Sequence, residues 1–234
     1  MKYLSIGNNA KTLKSDAEGE FLTAIMYMRP DMKLCPMSAL AACVDGCLNT
    51  AGRGAMNTIQ EARQRKTDAF HADPVAFVDQ LAEDITKAQR KAQRKGVKLA
   101  VRLNGTSDVA WENYRGTNGL TLMEQFPTVQ FYDYTKLPGR KVPANYHLTV
   151  SYSGANEKYA TKALSTSHNV AVVFRDADSI PTHWHGRVVI NGDRTDLRFT
   201  DPRGVVVGLY AKGKAKRDTS GFVVDVPANT LAIG

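Results

Sequence analysis

What most constrains the fold of this chain is the stretch after Gly96. Seven short β-rich runs follow one another there, at residues 99–103, 129–134, 147–152, 170–174, 188–190, 205–210 and 222–226. Several are nearly continuous in apolar or aromatic residues, the pattern of strands covered on both faces, as in parallel sheets. Helix-compatible stretches at 111–126 and 156–164 separate the earlier runs, whereas turns rich in Gly, Asp and Pro join the last three. The middle of the chain therefore reads as repeated βα units of an α/β fold, and its C-terminal part as an antiparallel β addition.

Ahead of these runs, 57–70 reads as a helix capped by Asn57, and a second helix begins at Asp73-Pro74, an N-cap followed by proline at the first helical position. Its apolar residues Val78, Leu81, Ile85, Ala88 and Ala92 recur at three- and four-residue spacing, Glu83 stands four before Lys87, and Gly96 supplies the stop. No Pro-, Gly- or Ser-rich linker interrupts the chain. With 234 residues, 43% of them hydrophobic, one sizeable core is expected. The expectation is a single domain, 1–234: an N-terminal segment with the cysteines (1–56), βα units (57–175) and a β-rich C-terminal part (176–234).

The net charge of +8 favours a polyanionic partner or an anionic small molecule. Much of the excess lies in 87–98 and 212–217. Neither run has interleaved aromatic residues to stack bases, and the first reads foremost as the solvated face of a helix. No apolar run approaches the ~20 residues of a membrane span, and the first sixteen residues hold no signal-length apolar stretch. A cytosolic protein without membrane contact is the expectation.

Only three cysteines are present, Cys35, Cys43 and Cys47, spaced C-x7-C-x3-C. They are too few for a disulfide framework, and clustered thiols in a reducing compartment are more often ligands or catalysts. Thiolates are soft ligands for iron–sulfur clusters, zinc or copper(I), and three of them leave one coordination position open. The plainer alternative is burial as small hydrophobes, since Cys43 and Cys47 would share one helix face with Leu40. Gly46, Asn49, Gly52 and Gly54 weigh against a long packed helix and fit a loop wrapped closely about something.

In βα folds, ligands sit at the carboxyl ends of strands. The first four runs end in polar groups: Asn104, Gly105, Thr106, Ser107 and Asp108; Asp133, Tyr134, Thr135 and Lys136; Ser151, Tyr152 and Ser153; Arg175 and Asp176. Arg102, Asn104, Ser107, Asp108 and Lys136 are the candidate catalytic residues, and Gly105, Tyr134, Ser151, Ser153 and Asp176 the candidate cofactor-binding ones. Arg102 interrupts an apolar strand and needs either a carboxylate ligand or a buried Asp. For Ser107 or Asp108 a helix N-cap is an equal reading. Asp193, Asp196 and Asp201 read first as hairpin-turn residues and second as ligands of a hard cation. No Ser-His-Asp order or paired-carboxylate spacing marks a hydrolase, and no glycine-rich loop marks a nucleotide site.

The blocks LCPMSALAACVDGCLNTAGRG, IQEARQRKTDAFHADPVAFVDQL, VRLNGTSDVAWE, FPTVQFYDYTK, NYHLTVSYSGAN, NVAVVF and DLRFTDPRGVVVGLYAKGKAKRD keep their order over nearly the whole chain. In them the chain resembles the phage gene-product-eighty-eight family, bacteriophage proteins of largely undefined function. That family is in turn similar, in its cysteine segment and the βα units behind it, to the radical S-adenosylmethionine superfamily. This second resemblance implies a partial β/α barrel of about six mostly parallel strands. It also implies a 4Fe-4S cluster held by Cys35, Cys43 and Cys47 at the barrel mouth, with S-adenosylmethionine on the fourth iron. The protein would then be an enzyme of the host cytoplasm, with an electron donor from the host and a small-molecule or nucleic-acid substrate. The superfamily spacing is C-x3-C-x2-C, and both gaps are longer here. Two alternatives stand beside it: a zinc site closed by His71, His183 or His185, and a metal-free basic protein that binds nucleic acid.

Overall fold

A computed structural model describes residues 2–6 and 19–226. The expectation for the N-terminal sixteen residues thus falls mostly outside the described residues. Ten strands build one sheet: β1 (Leu4–Ile6), β2 (Phe21–Met26), β3 (Lys98–Arg102), β4 (Gln130–Thr135), β5 (Tyr146–Ser151), β6 (Asn169–Phe174), β7 (His183–Trp184), β8 (Arg187–Asn191), β9 (Val206–Tyr210) and β10 (Val223–Val224). They lie in the order β1-β2-β3-β4-β5-β6-β9-β8-β7, with β10 beside β6. The pairings from β2 through β6 to β9 and β8 are parallel, as is that of β10 with β6; β1 and β7 are antiparallel edges. Among the described residues no pairing joins the two outer strands. The fold is α/β with a largely parallel sheet.

The expected antiparallel C-terminal addition is corrected by this register. Strands β8, β9 and β10 all run parallel to β6, because the 192–205 connection crosses from the end of β8 back to the start of β9 instead of turning tightly. The tight turn lies earlier, between β7 and β8, where His185 (φ 46°) and Gly186 (φ 72°) take the left-handed conformations of a two-residue hairpin.

Helix α1 (Asn57–Ala72) begins one residue earlier than a cap at Asn57 requires: its N-cap is Met56, which contributes no side-chain bond. Helix α2 (Pro74–Arg94) follows the sequence closely. The Asp73 side chain accepts from the Ala76 N–H at 3.0 Å, with Pro74 behind it. At the other end Gly96 (φ 68°) donates to Gln93 O and Val97 to Ala92 O, closing the helix in a Schellman motif. The buried stripe of α2, from Phe77 and Val78 to Ala92, packs on Leu99 and Val101 of β3 and Leu4 of β1. Each large apolar side chain so buried contributes roughly 1.5–3 kcal/mol. Lys87, Arg90, Arg94 and Lys95 face outward, so the basic run is a solvated helix face.

Successive strand residues point to opposite faces. Leu99 and Val101 lie under α2, while Ala100 joins Tyr132, Leu197, Phe21 and Phe199 on the other side. There the 192–205 connection, with its short helical turn Arg198–Thr200, covers the sheet. Helix α3 (Leu122–Gln125) and helix α4 (Glu157–Leu164) fall in the two expected helical connections; α3 is closed by a Thr121/Glu124 capping box and α4 is capped by Asn156.

Candidate functional site

The cysteine segment leaves the carboxyl end of β2 and returns through α1, so it lies across the strand ends. Turns and short helical turns, not a long helix, form it, with Ala42 in a left-handed conformation (φ 47°). Its anchoring is extensive. Arg63, buried on α1, donates from Nη1 to the Asn49 carbonyl (2.5 Å) and side-chain oxygen (2.7 Å), and Gln60 Nε2 donates to Asn49 O (2.8 Å) and Gly54 O (2.6 Å). The Ser153 hydroxyl donates to Ala41 O at 2.7 Å.

Beneath this loop lies a cavity of about 390 Å³. Cys35, Cys43 and Cys47 all line it, together with Arg102, Asn104, Gly105, Ser107, Asp108, Tyr134, Lys136 and Ser151 from the strand ends. Eight of the ten strand-end candidates thus meet the three cysteines in one place. Ser153 and Asp176 do not line it. Ser153 ties down the cysteine loop, and Asp176 caps the exposed turn Ala177–Ser179. The far wall comes from the C-terminal part: Asp193, Thr195 and Asp196 after β8, Leu209 and Tyr210 of β9, and Lys212 and Phe222.

None of the three cysteines is in a disulfide, and all are half-buried. Burial pushes the Cys35 thiol up to about 12, helped by the Asp108 carboxyl and the charges of Cys47 and Cys43. Burial also raises Cys43, and the Lys136 ammonium partly offsets it. The Cys47 sulfur accepts from the Asn49 N–H at 3.4 Å. The thiols are therefore near enough to feel one another. Yet among the described residues no three His, Cys, Asp or Glu side chains are gathered tightly enough to share a single metal ion.

None of the three histidines considered for a zinc site reaches the cavity. His71 Nε2 lies 2.7 Å from Asp31 Oδ2, and His183 and His185 sit on the exposed β7–β8 hairpin.

The strand-end residues divide by how fully they are committed. Asn104 is an organiser: its side-chain oxygen accepts from Ser107 Oγ (2.9 Å), Val109 N (3.0 Å) and Trp111 Nε1 (3.2 Å), and its Nδ2 donates to Val109 O and Asp133. Ser107 is thereby part of the loop's scaffold and caps no helix. Gly105 has no room for a side chain, because a Cβ would collide with the Met26 carbonyl and the Tyr27 ring. Asp108 accepts from the Lys136 N–H at 2.6 Å and faces Arg140 Nη1 at 3.6 Å. Burial raises its carboxyl.

Arg102 resolves in favour of the buried ion pair. Its Nη1 lies 2.8 Å and 3.2 Å from the two Asp196 oxygens, and its guanidinium stands 4.8 Å from the centre of the Tyr134 ring. Asp196 therefore serves Arg102 and not a turn. Lys136 is held by Ser151 O (3.0 Å) and Tyr152 O (2.9 Å), and burial draws its ammonium down to about 8. Asn49, Gln60, Arg63, Lys212 and Phe222 were not singled out as site residues by the sequence. Only the close crowding of Gly and Asn after Cys43 hints at the clamp.

A family model described as gene product 88 matches residues 3–226 of the chain. No curated protein and no solved structure matches it.

Proposed function

Because the chain belongs to the gene product 88 family, whose name specifies no chemistry, the site must carry the reading. We propose that this is a phage-encoded iron–sulfur enzyme of radical S-adenosylmethionine type, working in the host cytoplasm with an electron donor from the host. Cys35, Cys43 and Cys47 would hold a 4Fe-4S cluster above the cavity. The observation that carries the proposal is the convergence of three thiols on one cavity at the carboxyl ends of parallel strands, in the loop that follows the first of them.

The donor set fits such a group. Soft thiolates suit iron–sulfur clusters, and thiolates on different irons stand farther apart than those around one tetrahedral zinc. Among the described residues no three side chains form a tight single-ion cage, so the cluster reading rests on the chemistry of the thiols and their shared cavity. When bound, the cluster would supply one-electron transfer to a ligand at its open position.

The protein's own groups do the rest. Arg63 and Gln60 fix the loop before any ligand arrives, which limits the ordering cost of assembly. Burial keeps the Cys35 and Cys43 thiols protonated in the metal-free chain, so loading releases protons. Tyr134, stacked on Arg102, offers a flat surface for a planar ring, and no helix of the described residues is long and apolar enough to cross a membrane.

Anaerobic reconstitution with iron and sulfide tests the proposal. A brown protein bleached by dithionite, with S-adenosylmethionine altering the reduced cluster's electron paramagnetic resonance, is the expected result. A protein that stays colourless overturns it. A cluster indifferent to S-adenosylmethionine overturns the radical-enzyme part alone.

A further inference from the structure

Three cations line the cavity, and they are not equivalent. Arg102 faces Asp196 at 2.8 Å, and Lys212 is paired with Asp193. Lys136 forms no ion pair with any described carboxylate. Two of its three N–H groups go to the carbonyls of Ser151 and Tyr152, and the Phe222 ring centre lies 4.7 Å from its nitrogen. The nearby Asp108 accepts from the Lys136 backbone N–H and faces Arg140 at 3.6 Å, so it acts on the ammonium through space without a bond to it. Lys136 is also only 8% exposed. A buried cation surrounded by carbonyl dipoles and an aromatic face, with no carboxylate in direct contact, is costly to keep. Its position on a cavity wall lets a ligand supply a charge in direct contact.

We infer that the cavity binds a small organic anion whose carboxylate or phosphate docks on the Lys136 ammonium. The body of that ligand is apolar or aromatic, because Val173, Leu209, Phe222 and Tyr134 supply the surface around it. The volume of about 390 Å³ lies within the usual range for small-molecule sites. A lysine acts here as a point charge, so it accepts either headgroup without the bidentate geometry an arginine imposes. This names the substrate class of the cavity; it rests on the proposed function for the cavity's role and not for its charge.

The test uses benzoate, phenyl phosphate and neutral benzamide as probes, with calorimetry on the iron-free full chain. Both anions are expected to bind saturably, and benzamide about tenfold more weakly or worse. The tighter anion assigns the headgroup. Lys136→Met should weaken both anions about tenfold and leave benzamide unchanged, whereas Lys212→Gln should change them less than about twofold. Equal binding of benzamide and the anions, undiminished binding to Lys136→Met, or no saturable anion binding overturns the inference. Should Lys136→Met not fold, the 15N resonance of the Lys136 ammonium in the wild-type chain must shift on titration with the anions, and an unmoved resonance overturns it equally. Repeating the titration on the Cys35→Ala/Cys43→Ala/Cys47→Ala variant separates the two ideas. Anion binding that persists in a chain unable to form a cluster supports this inference even if the cluster proposal fails. A cluster formed in a wild-type chain that binds no anion sinks this inference alone.

Discussion

The two faces of the sheet follow different rules although the same strands build them. On the helical face, Leu99 and Val101 of β3 meet Phe77, Leu81 and Ile85 of α2, and aromatic rings continue the core: Phe77 stacks on Tyr3 at 4.2 Å and faces Trp111 at 6.1 Å. On the other face, toward the carboxyl ends, the neighbour of Val101 is Arg102, held by Asp196, and Tyr134 and Lys136 follow. One face is closed by apolar burial under a helix; the other is covered by the 192–205 connection over a smaller apolar cluster and gives way to ion pairs and carbonyl dipoles at the strand ends, where the cysteine loop crosses. Stability should reside mainly in the first and ligand chemistry in the second.

The largest effect expected from breaking this division is on the helical face. Phe77→Ala removes a fully buried ring and should cost about 3–5 kcal/mol, read as a lower denaturation midpoint, while iron uptake per folded molecule stays unchanged. Arg63→Met sits at the boundary. It removes the clamp on Asn49 and should cost about 1–3 kcal/mol, and it should also lower iron uptake because the cysteine loop loses its fixed shape. If uptake survives this change undiminished, the clamp does not organise the thiols.

Asp133 links the two regions, accepting from Asn104 N and the Tyr146 hydroxyl, both at 2.7 Å. Burial pushes its carboxyl from 3.8 up to about 7. The folded chain therefore binds more protons than the unfolded one between these values. Asp133's contribution to stability is fully present below about pH 4 and is lost as pH rises through about 7, at no more than about 1.4 kcal/mol per pH unit. Denaturation midpoints of Asp133→Asn should lack this component of the pH slope, and identical slopes for both chains would contradict the assignment. The smallest effect belongs to the solvated face of α2. Lys87→Ala breaks an exposed pair to Glu83 at 3.4 Å and should change stability by less than about 0.5 kcal/mol, with salt making little difference.

Helix α2 is legible in the sequence because its cap, apolar period and glycine stop are all local. The strands from β3 to β6, β8 and β9 are legible for the same reason, within one or two residues. Strand β2 lies outside the series of runs after Gly96 on which the strand reading rests, although Gly19 precedes it and Pro30-Asp31 follows it. The direction of β8 and β9 is equally hidden, since a turn-rich connection reads as a hairpin whether or not the chain crosses over. At the site, Arg102 is visible as an odd cation, but its partner Asp196 lies 94 residues away and only the fold joins them. The grouping of cysteines with strand ends is readable from βα logic. The commitment of Asn104 and Ser107 to each other, and the lack of a contacting carboxylate at the Lys136 ammonium among the described residues, depend on distances that no spacing encodes.

The central claim is that the three thiols act together as ligands and not as buried hydrophobes. Iron and sulfide analysis after anaerobic reconstitution tests it most directly, comparing the wild-type chain with the Cys35→Ala/Cys43→Ala/Cys47→Ala variant at matched folded fraction. The account expects roughly four irons and as many sulfides per wild-type chain, and near none in the variant. Equal iron in both chains, or none in either, contradicts it.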